Sequence, residues 1–246
     1  MNFQLRSLWV AVGFLTRIPV GDPSRGGTKP VRMAAAVPWF PVVGMGIGSV
    51  QALIWWALHE VSTPSVAAAV SIAGAALLTG AFHHDGLADM ADAFGGGWTV
   101  EQRMEILKDS RLGTYGTTAL GLAYLIEFAA LSSLSVADGV IALIAMHVAS
   151  RGCAVGVMLF APIGGDGLGA SYMTDLRRFT GAVAVLFAVA ISVAALGSVA
   201  WSLFPAAVAT TAVVILAKRK IGGVTGDVLG AITVVSGLTI LVCSTI

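Results

Sequence analysis

Apolar residues in this chain fall in long unbroken runs separated by short polar stretches, with neither the strict alternation of a half-buried strand nor the one-sided stripe of a surface helix. Runs free or nearly free of charge, and long enough to cross ~30 Å of hydrocarbon, occupy residues 34–58, 64–82, 114–136, 139–161 and 228–246. The stretch 179–217 is too long for one crossing and predicts two helices turning near residues 201–205, so seven membrane helices are expected. Residues 1–33 precede them as a cytoplasmic or interfacial segment, in which Phe3, Leu5, Leu8, Trp9, Val12 and Leu15 recur roughly at helical spacing. No repeat, low-complexity tract or soluble domain interrupts the pattern. The expectation is one all-α domain over 1–246, a polytopic integral membrane helix bundle.

The placement of charge gives the bundle a direction. With the N-terminus cytoplasmic, the inner loops hold Arg6, Arg17, Arg25, Lys29, Arg32, Arg103, Lys108, Arg111, Arg177, Arg178, Lys218, Arg219 and Lys220, which is 13 of the 14 basic residues. The outer connections at 59–63, 137–138 and 200–204 hold none, as the positive-inside rule requires. A multi-pass protein of the cell (inner or plasma) membrane with its active site facing the cytoplasm is expected. Composition agrees: 57% of the 246 residues are apolar and 11% charged, with mean hydropathy +0.90, too little polar surface to cover a water-facing globule. The near-neutral balance argues against a nucleic-acid partner; the bilayer is the expected environment, and a second copy of the chain a candidate partner. Cys153 and Cys243 lie in apolar runs and offer neither a disulfide framework nor paired metal-ligand spacing. The apolar stretch at residues 8–15 is short and runs into Thr16 and Arg17 without a cleavage pattern, so no cleavable signal peptide is expected.

The predicted inner loops carry the candidate chemistry. Asp85, Asp89 and Asp92 follow the second apolar run at i, i+4, i+7 spacing, which puts three carboxylates on one helix face with no basic partner at i+3 or i+4. They are expected to emerge at the C-terminal end of that span, whose unpaired carbonyls and negative dipole end also favour a cation, and oxygen ligands without paired Cys or His favour Mg²⁺ over zinc. The bland alternative is a solvated acidic helix end. His83 and His84 stand just before them, as a ligand, a proton carrier or interfacial residues. Three glycines at 95–97 stop this helix, and Thr99-Val-Glu-Gln102 reads as a capping box opening a short helix through about Asp109. Lys108, Asp109, Ser110, Arg111 and Gly113 then precede the third span, where cations, a hydroxyl and helix N-terminal amides form an anion site or anchor the span to lipid phosphates. A second glycine-rich N-terminus, residues 221–230, carries Thr225 and Asp227, which either cap the last span or serve a close approach of backbone. Arg151 is the basic residue inside a span and requires a carboxylate or a substrate phosphate; Glu127 is a candidate partner.

Six stretches taken together resemble the cobalamin synthase (adenosylcobinamide-GDP ribazoletransferase) family: Phe14-Leu-Thr-Arg-Ile-Pro-Val20, Phe40-Pro-Val-Val-Gly44, Phe82-His-His-Asp-Gly-Leu-Ala-Asp-Met-Ala-Asp92, Glu105-Ile-Leu-Lys-Asp-Ser-Arg-Leu-Gly-Thr-Tyr-Gly116, Ser150-Arg-Gly152 and Gly222-Gly-Val-Thr-Gly-Asp-Val-Leu-Gly-Ala231. They span most of the chain in the family's order, and the second histidine falls at the family's variable position, leaving His83 as the matching one. The resemblance implies transfer of the adenosylcobinamide-phosphoryl group from its GDP-activated form to α-ribazole or its 5′-phosphate, with release of GMP and a need for Mg²⁺. It implies a corrinoid nucleotide and a ribazole as substrates, metal on Asp85, Asp89 and Asp92, and a general base among Asp92, Asp109 and Asp227. His83 would assist catalysis, while Arg17, Lys108, Ser110, Arg111, Gly113, Arg151 and Thr225 would hold substrate.

The Asp-Gly-x-x-Asp-x-x-Asp spacing is also similar to that of CDP-alcohol phosphotransferases, which makes a phosphatidyltransferase the nearest rival; the Asp-Ser-Arg-Leu-Gly-Thr and Gly-Gly-x-Thr-Gly-Asp segments are foreign to it. A secondary transporter coupled through Glu127, His147 and Arg151 is a rival of another class, without the repeat halves such folds carry.

Overall fold

A computed structural model describes residues 3–21, 32–164, 172–174 and 176–246. Its described residues are mostly helical, and most helix ends follow from local sequence. The chain opens with α1 (Phe3–Leu15), then two 3₁₀ turns, Met33–Ala35 and Val37–Trp39, lead into α2 (Phe40–His59), whose first turn holds Pro41 where no amide partner is needed. The Thr63 hydroxyl accepts from the Val66 amide at 3.3 Å and Pro64 takes the first position of α3 (Pro64–Thr79).

At the end of α3 the structure departs from the expected single span over 64–82. Gly80 (φ +64°) and Ala81 (φ +54°) are both left-handed, the Ala81 amide donates to Ala76 O at 2.9 Å and the Gly80 amide to Leu77 O at 3.3 Å. This is a Schellman cap, and the Arg17 amide closes a further carbonyl, Leu78 O, at 2.7 Å. The chain turns through 88° into a separate helix, α4 (Phe82–Gly96). The aspartates therefore do not trail from the negative end of a span: Asp85 sits in the first turn of α4, at a helix N-terminus. The small residue at 80 and the carbonyls satisfied by Arg17 and the cap are the physical reasons for the break.

The capping box forms as expected, with Thr99 and Gln102 bonding reciprocally at the start of α5 (Val100–Ile106). Then come α6 (Thr114–Ser133), α7 (Val136–Phe160), α8 (Arg178–Leu196), a 3₁₀ turn at Gly197–Ser202, α9 (Leu203–Ile221) and α10 (Gly226–Cys243). Two-thirds of the most apolar window of α7 and of α10 is buried, against 22% for the stretch holding α8 and α9. The first two therefore form the centre, and the exposed Phe179, Leu186 and Phe204 of the outer pair present the face that hydrocarbon would cover.

By length and hydropathy, four described segments suffice to cross a membrane: Met33–His59, Val136–Phe160, Arg178–Ile221 and Gly226–Cys243, or five if α3 and α4 form one broken span. Seven were expected. The difference lies in α3, sixteen residues long; in α6, which carries three threonines, two tyrosines and Glu127; and in α8 and α9, which the 3₁₀ turn joins into one stretch. The N-terminal segment is also more deeply engaged than an interfacial helix requires, because α1 buries Arg6, Ser7, Ala11 and Leu15 while Phe3, Leu5 and Trp9 stay exposed. Arg25 and Lys29 lie outside the described residues.

Candidate active site

Glycines set the geometry where α4 meets α10. A Cβ added at Gly86 would stand 2.8 Å from Asp227 O and 2.9 Å from its Cα, and one at Gly230 would stand 3.0 Å from His83 O. The two backbones can meet this closely only because neither helix carries a side chain there. The first turn of α10 is fixed from the other side by a parallel bridge between Ile163 and Val224, in which the Val224 amide donates to Pro162 O and the Gly164 amide to Val224 O, each at 2.9 Å. Gly223 packs directly on Gly164. The glycines of residues 221–230 thus serve backbone contact, and Thr225 caps α10 by accepting from the Val228 amide at 3.4 Å.

Beside this junction lies a cavity of about 480 Å³. Its polar wall brings together His83 and Asp85 from the first turn of α4, Lys108 from the loop after α5, Arg151 from α7, and Thr225 and Asp227 from the start of α10. Phe14, Phe40, Phe82 and Tyr172 form an aromatic wall in which Phe14 is central, its ring centroid 4.1 Å from that of Tyr172, 5.0 Å from Phe82 and 5.7 Å from Phe40. One end can hold phosphates and the other a large planar or aromatic group. No sign in the sequence showed that these rings meet: Phe14, Phe40 and Phe82 each open one of the stretches that carry the resemblance, but nothing local places them on one wall.

The remaining candidates lie outside the cavity lining. Asp89 sits one turn behind Asp85, and Asp85, Asp89 and Asp227 are close enough to repel one another. Asp92 is engaged elsewhere: its carboxylate accepts from the Gly113 and Gly116 amides, both at 2.8 Å, and so caps α6. A Cβ at Gly113 or Gly116 would collide with that carboxylate, so Gly113 faces Asp92 rather than the cavity. Asp109 and Arg111 pair with each other in an exposed loop, Arg111 donating through Nε and Nη2 to the carboxylate. Those side-chain hydrogen bonds lower the Asp109 carboxyl to about 2, which makes it a weak base. Ser110 is exposed in the same loop. Arg17 lies against Gly80 and serves the end of α3. His84 stacks on Tyr124 at 4.5 Å, turned away from the cavity that His83 lines.

Arg103 was read only as one of the inner-loop charges. Its guanidinium donates to Gly97 O at 3.1 Å, Trp98 O at 3.0 Å and Lys220 O at 2.9 Å, while Lys220 Nζ returns to Phe94 O at 3.1 Å. Together they lash the end of α4 to the end of α9. The only signal in sequence was the run of free carbonyls that any glycine-ended helix leaves.

Among the described residues no three of His, Cys, Asp and Glu are gathered as a preformed metal-ligand set. The donor chemistry still suits Mg²⁺, which is commonly held by one or two carboxylates with water and substrate phosphates completing its shell. Asp85 and Asp89 supply that pair, one helical turn apart, with Asp227 facing them across the α4–α10 junction.

A family model described as cobalamin-5-phosphate synthase matches residues 7–245. Among curated proteins the chain is similar to the adenosylcobinamide-GDP ribazoletransferase of Ralstonia nicotianae, with 39% identity over 96% of this chain and 93% of that one. Proteins of the same name from Leptothrix cholodnii and Bradyrhizobium diazoefficiens are each 38% identical, covering 93% and 96% of this chain and 90% and 92% of theirs. No solved structure matches the chain. A match that runs over nearly the whole length, with relatives this similar end to end, leads to one conclusion: the chain belongs to the cobalamin-5-phosphate synthase family.

Proposed function

We propose that this protein transfers the adenosylcobinamide-phosphoryl group from adenosylcobinamide-GDP to α-ribazole or its 5′-phosphate, forming adenosylcobalamin or its 5′-phosphate and releasing GMP. The observation that carries this reading is the convergence of Asp85, Asp227, Lys108 and Arg151 on one cavity, in a chain whose family match covers residues 7–245. In the reaction a ribose hydroxyl oxygen bonds to the cobinamide-side phosphorus, the bond from that phosphorus to the bridging oxygen breaks, and GMP leaves with the bridging oxygen.

Each group has a task that its position supports. Lys108 and Arg151 hold phosphate oxygens from two sides of the cavity, beside the N-terminus of α10 and its positive dipole end. Asp227 takes the hydroxyl proton; of the three candidate bases it is the one that lines the cavity, with the Thr225 hydroxyl 3.4 Å from its Oδ2 to orient it. His83, on the cavity wall beside Asp85, is placed to pass that proton on or to steady the leaving group. Asp85 and Asp89 are the residues that would hold Mg²⁺, which when bound offsets charge building on the bridging and leaving oxygens. The aromatic wall excludes water from the reacting phosphorus and receives an apolar part of a substrate. The site faces the cytoplasm of the cell membrane, the side on which the basic residues of Arg103 to Arg111 and Lys218 to Lys220 gather.

The test is direct. Purified protein in detergent, given adenosylcobinamide-GDP, α-ribazole and Mg²⁺, is expected to release one GMP per corrinoid completed, to stop on chelation and to resume when Mg²⁺ is restored. Release of CMP from CDP-diacylglycerol, with no GMP from the corrinoid, would replace this reading with a phosphatidyltransferase.

A further inference from the structure

Arg151 is buried deep within α7, yet among the described residues no carboxylate touches it. Its Nη1 donates to His147 Nδ1 at 2.9 Å and to His147 O at 3.2 Å, His147 Nε2 meets Gln51 Oε1 at 2.6 Å, and Gln51 Nε2 donates to Glu127 Oε1 at 2.9 Å. A guanidinium can only donate, so Nδ1 must accept; Nε2 then carries the ring proton and donates to Gln51, whose amide donates in turn to Glu127. Every bond in the chain points the same way, from a cation on α7 through two neutral groups on α7 and α2 to a carboxyl on α6. Gln51 and Glu127 are buried, as Arg151 is.

The surroundings hold this chain in place. A Cβ at Gly44 would stand 2.5 Å from His147 O and 2.6 Å from Arg151 Cδ, and one at Gly48 would stand 2.9 Å from Ile144 Cα, so α2 lies close enough on α7 for Gln51 to reach His147. At the other end Arg151 forms part of the cavity wall, and its Nε is buried without a partner among the described residues. A carboxylate paired directly with this guanidinium would fill its fork and compete with any phosphate. Placing the carboxyl three hydrogen bonds away keeps it out of the fork and leaves Nε–H without a partner among the described residues.

We propose that Gln51, His147 and Glu127 are positioning residues for phosphate recognition: they lock Arg151 in one orientation at the cavity wall, with unfilled donors for a phosphoryl group of the corrinoid donor. The proposal rests on the function proposed above and adds a recognition device to it. None of the three touches substrate; they act through Arg151.

The experiment compares equilibrium binding of two corrinoids, adenosylcobinamide phosphate and adenosylcobinamide, to the full chain in detergent. Wild type is expected to prefer the phosphorylated corrinoid. Gln51→Met keeps the volume and removes both hydrogen bonds, and is expected to lose about ten-fold of that preference while affinity for adenosylcobinamide stays within about two-fold. A disturbance of packing alone would weaken both corrinoids together, and that result overturns the proposal, as does an unchanged preference. His147→Gln retains an acceptor toward Arg151 and a donor toward Gln51, so it is expected to keep the preference within about two-fold; a ten-fold loss there contradicts the bond order. In an Arg151→Gln background the Gln51→Met change is expected to add nothing further, whereas additive losses would show that Gln51 does not act through Arg151. Circular dichroism reports folding, and Gln51→Asn, which shortens the amide out of reach, serves if Gln51→Met does not fold. If wild type binds neither corrinoid, the functional reading fails and the proposal with it; if wild type and Gln51→Met discriminate equally, the positioning role alone fails.

Discussion

Asp85 and Asp92 stand seven residues apart on one helix and do different work. Asp85 is exposed at the cavity with no hydrogen-bonded partner among the described residues, while both oxygens of Asp92 are held by the amides that open α6. Asp85→Asn is therefore expected to cut kcat by roughly 100-fold or more while leaving the unfolding midpoint near wild type, since under the proposed function it removes a charge that acts in the transition state. Asp92→Ala is expected to cost about 1–2 kcal/mol of stability through the lost cap, with a smaller effect on turnover. Thermal unfolding and steady-state kinetics on the two variants separate these roles; equal loss of turnover with equal stability would put Asp92 back among the catalytic groups. The sequence showed that three carboxylates share a helix face, because periodicity alone decides that. It could not show that one of them is consumed by a helix start more than twenty residues away, because Gly113 and Gly116 read equally well as a phosphate loop. Nor did it separate Asp109 from Asp227 as bases. Only the fold reveals that Arg111 occupies the first and that the second opens onto the cavity.

The decisive element is the junction of α4 and α10, two helix N-termini brought together on glycine. Gly86→Ala puts a methyl into the Asp227 backbone, whose atoms cannot swing aside as a side-chain tip can. The expected cost is about 1–3 kcal/mol, accompanied by a fall in kcat larger than that of Gly96→Ala ten residues on, where an added Cβ meets nothing closer than 3.9 Å. Circular dichroism melts with kinetics on both variants check this, and equal behaviour of the two would deny the junction its role. Helix ends marked by local chemistry were legible: the capping box at Thr99 and the glycine stop at residues 95–97 lie where the sequence placed them. The break at Gly80-Ala81 was not, because it depends on Arg17, just beyond α1, meeting the end of α3 and on an alanine adopting a left-handed conformation, which no local pattern announces.

At the scale of the molecule, apolar runs and the alternation of basic loops identified a helical membrane bundle, while the number of crossings depended on features that hydropathy blurs. The 3₁₀ turn between α8 and α9 and the polar, Glu127-bearing α6 are readable only when the partners that bury them are known. Sidedness is open to test: cysteines placed at Thr99 and Gly223 are expected to resist an impermeant thiol reagent added outside intact cells, and one at Ser62 to react. Labelling at Thr99 without lysis would invert the bundle and move the cavity to the other face. The central claim, that transfer takes place in the cavity between α4 and α10, is tested most directly by a single-turnover measurement on Asp227→Asn. With adenosylcobinamide-GDP bound before α-ribazole and Mg²⁺ are added, this variant is expected to retain the donor at wild-type affinity and to release GMP at least about 100-fold more slowly than wild type. GMP release at the wild-type rate would contradict the account.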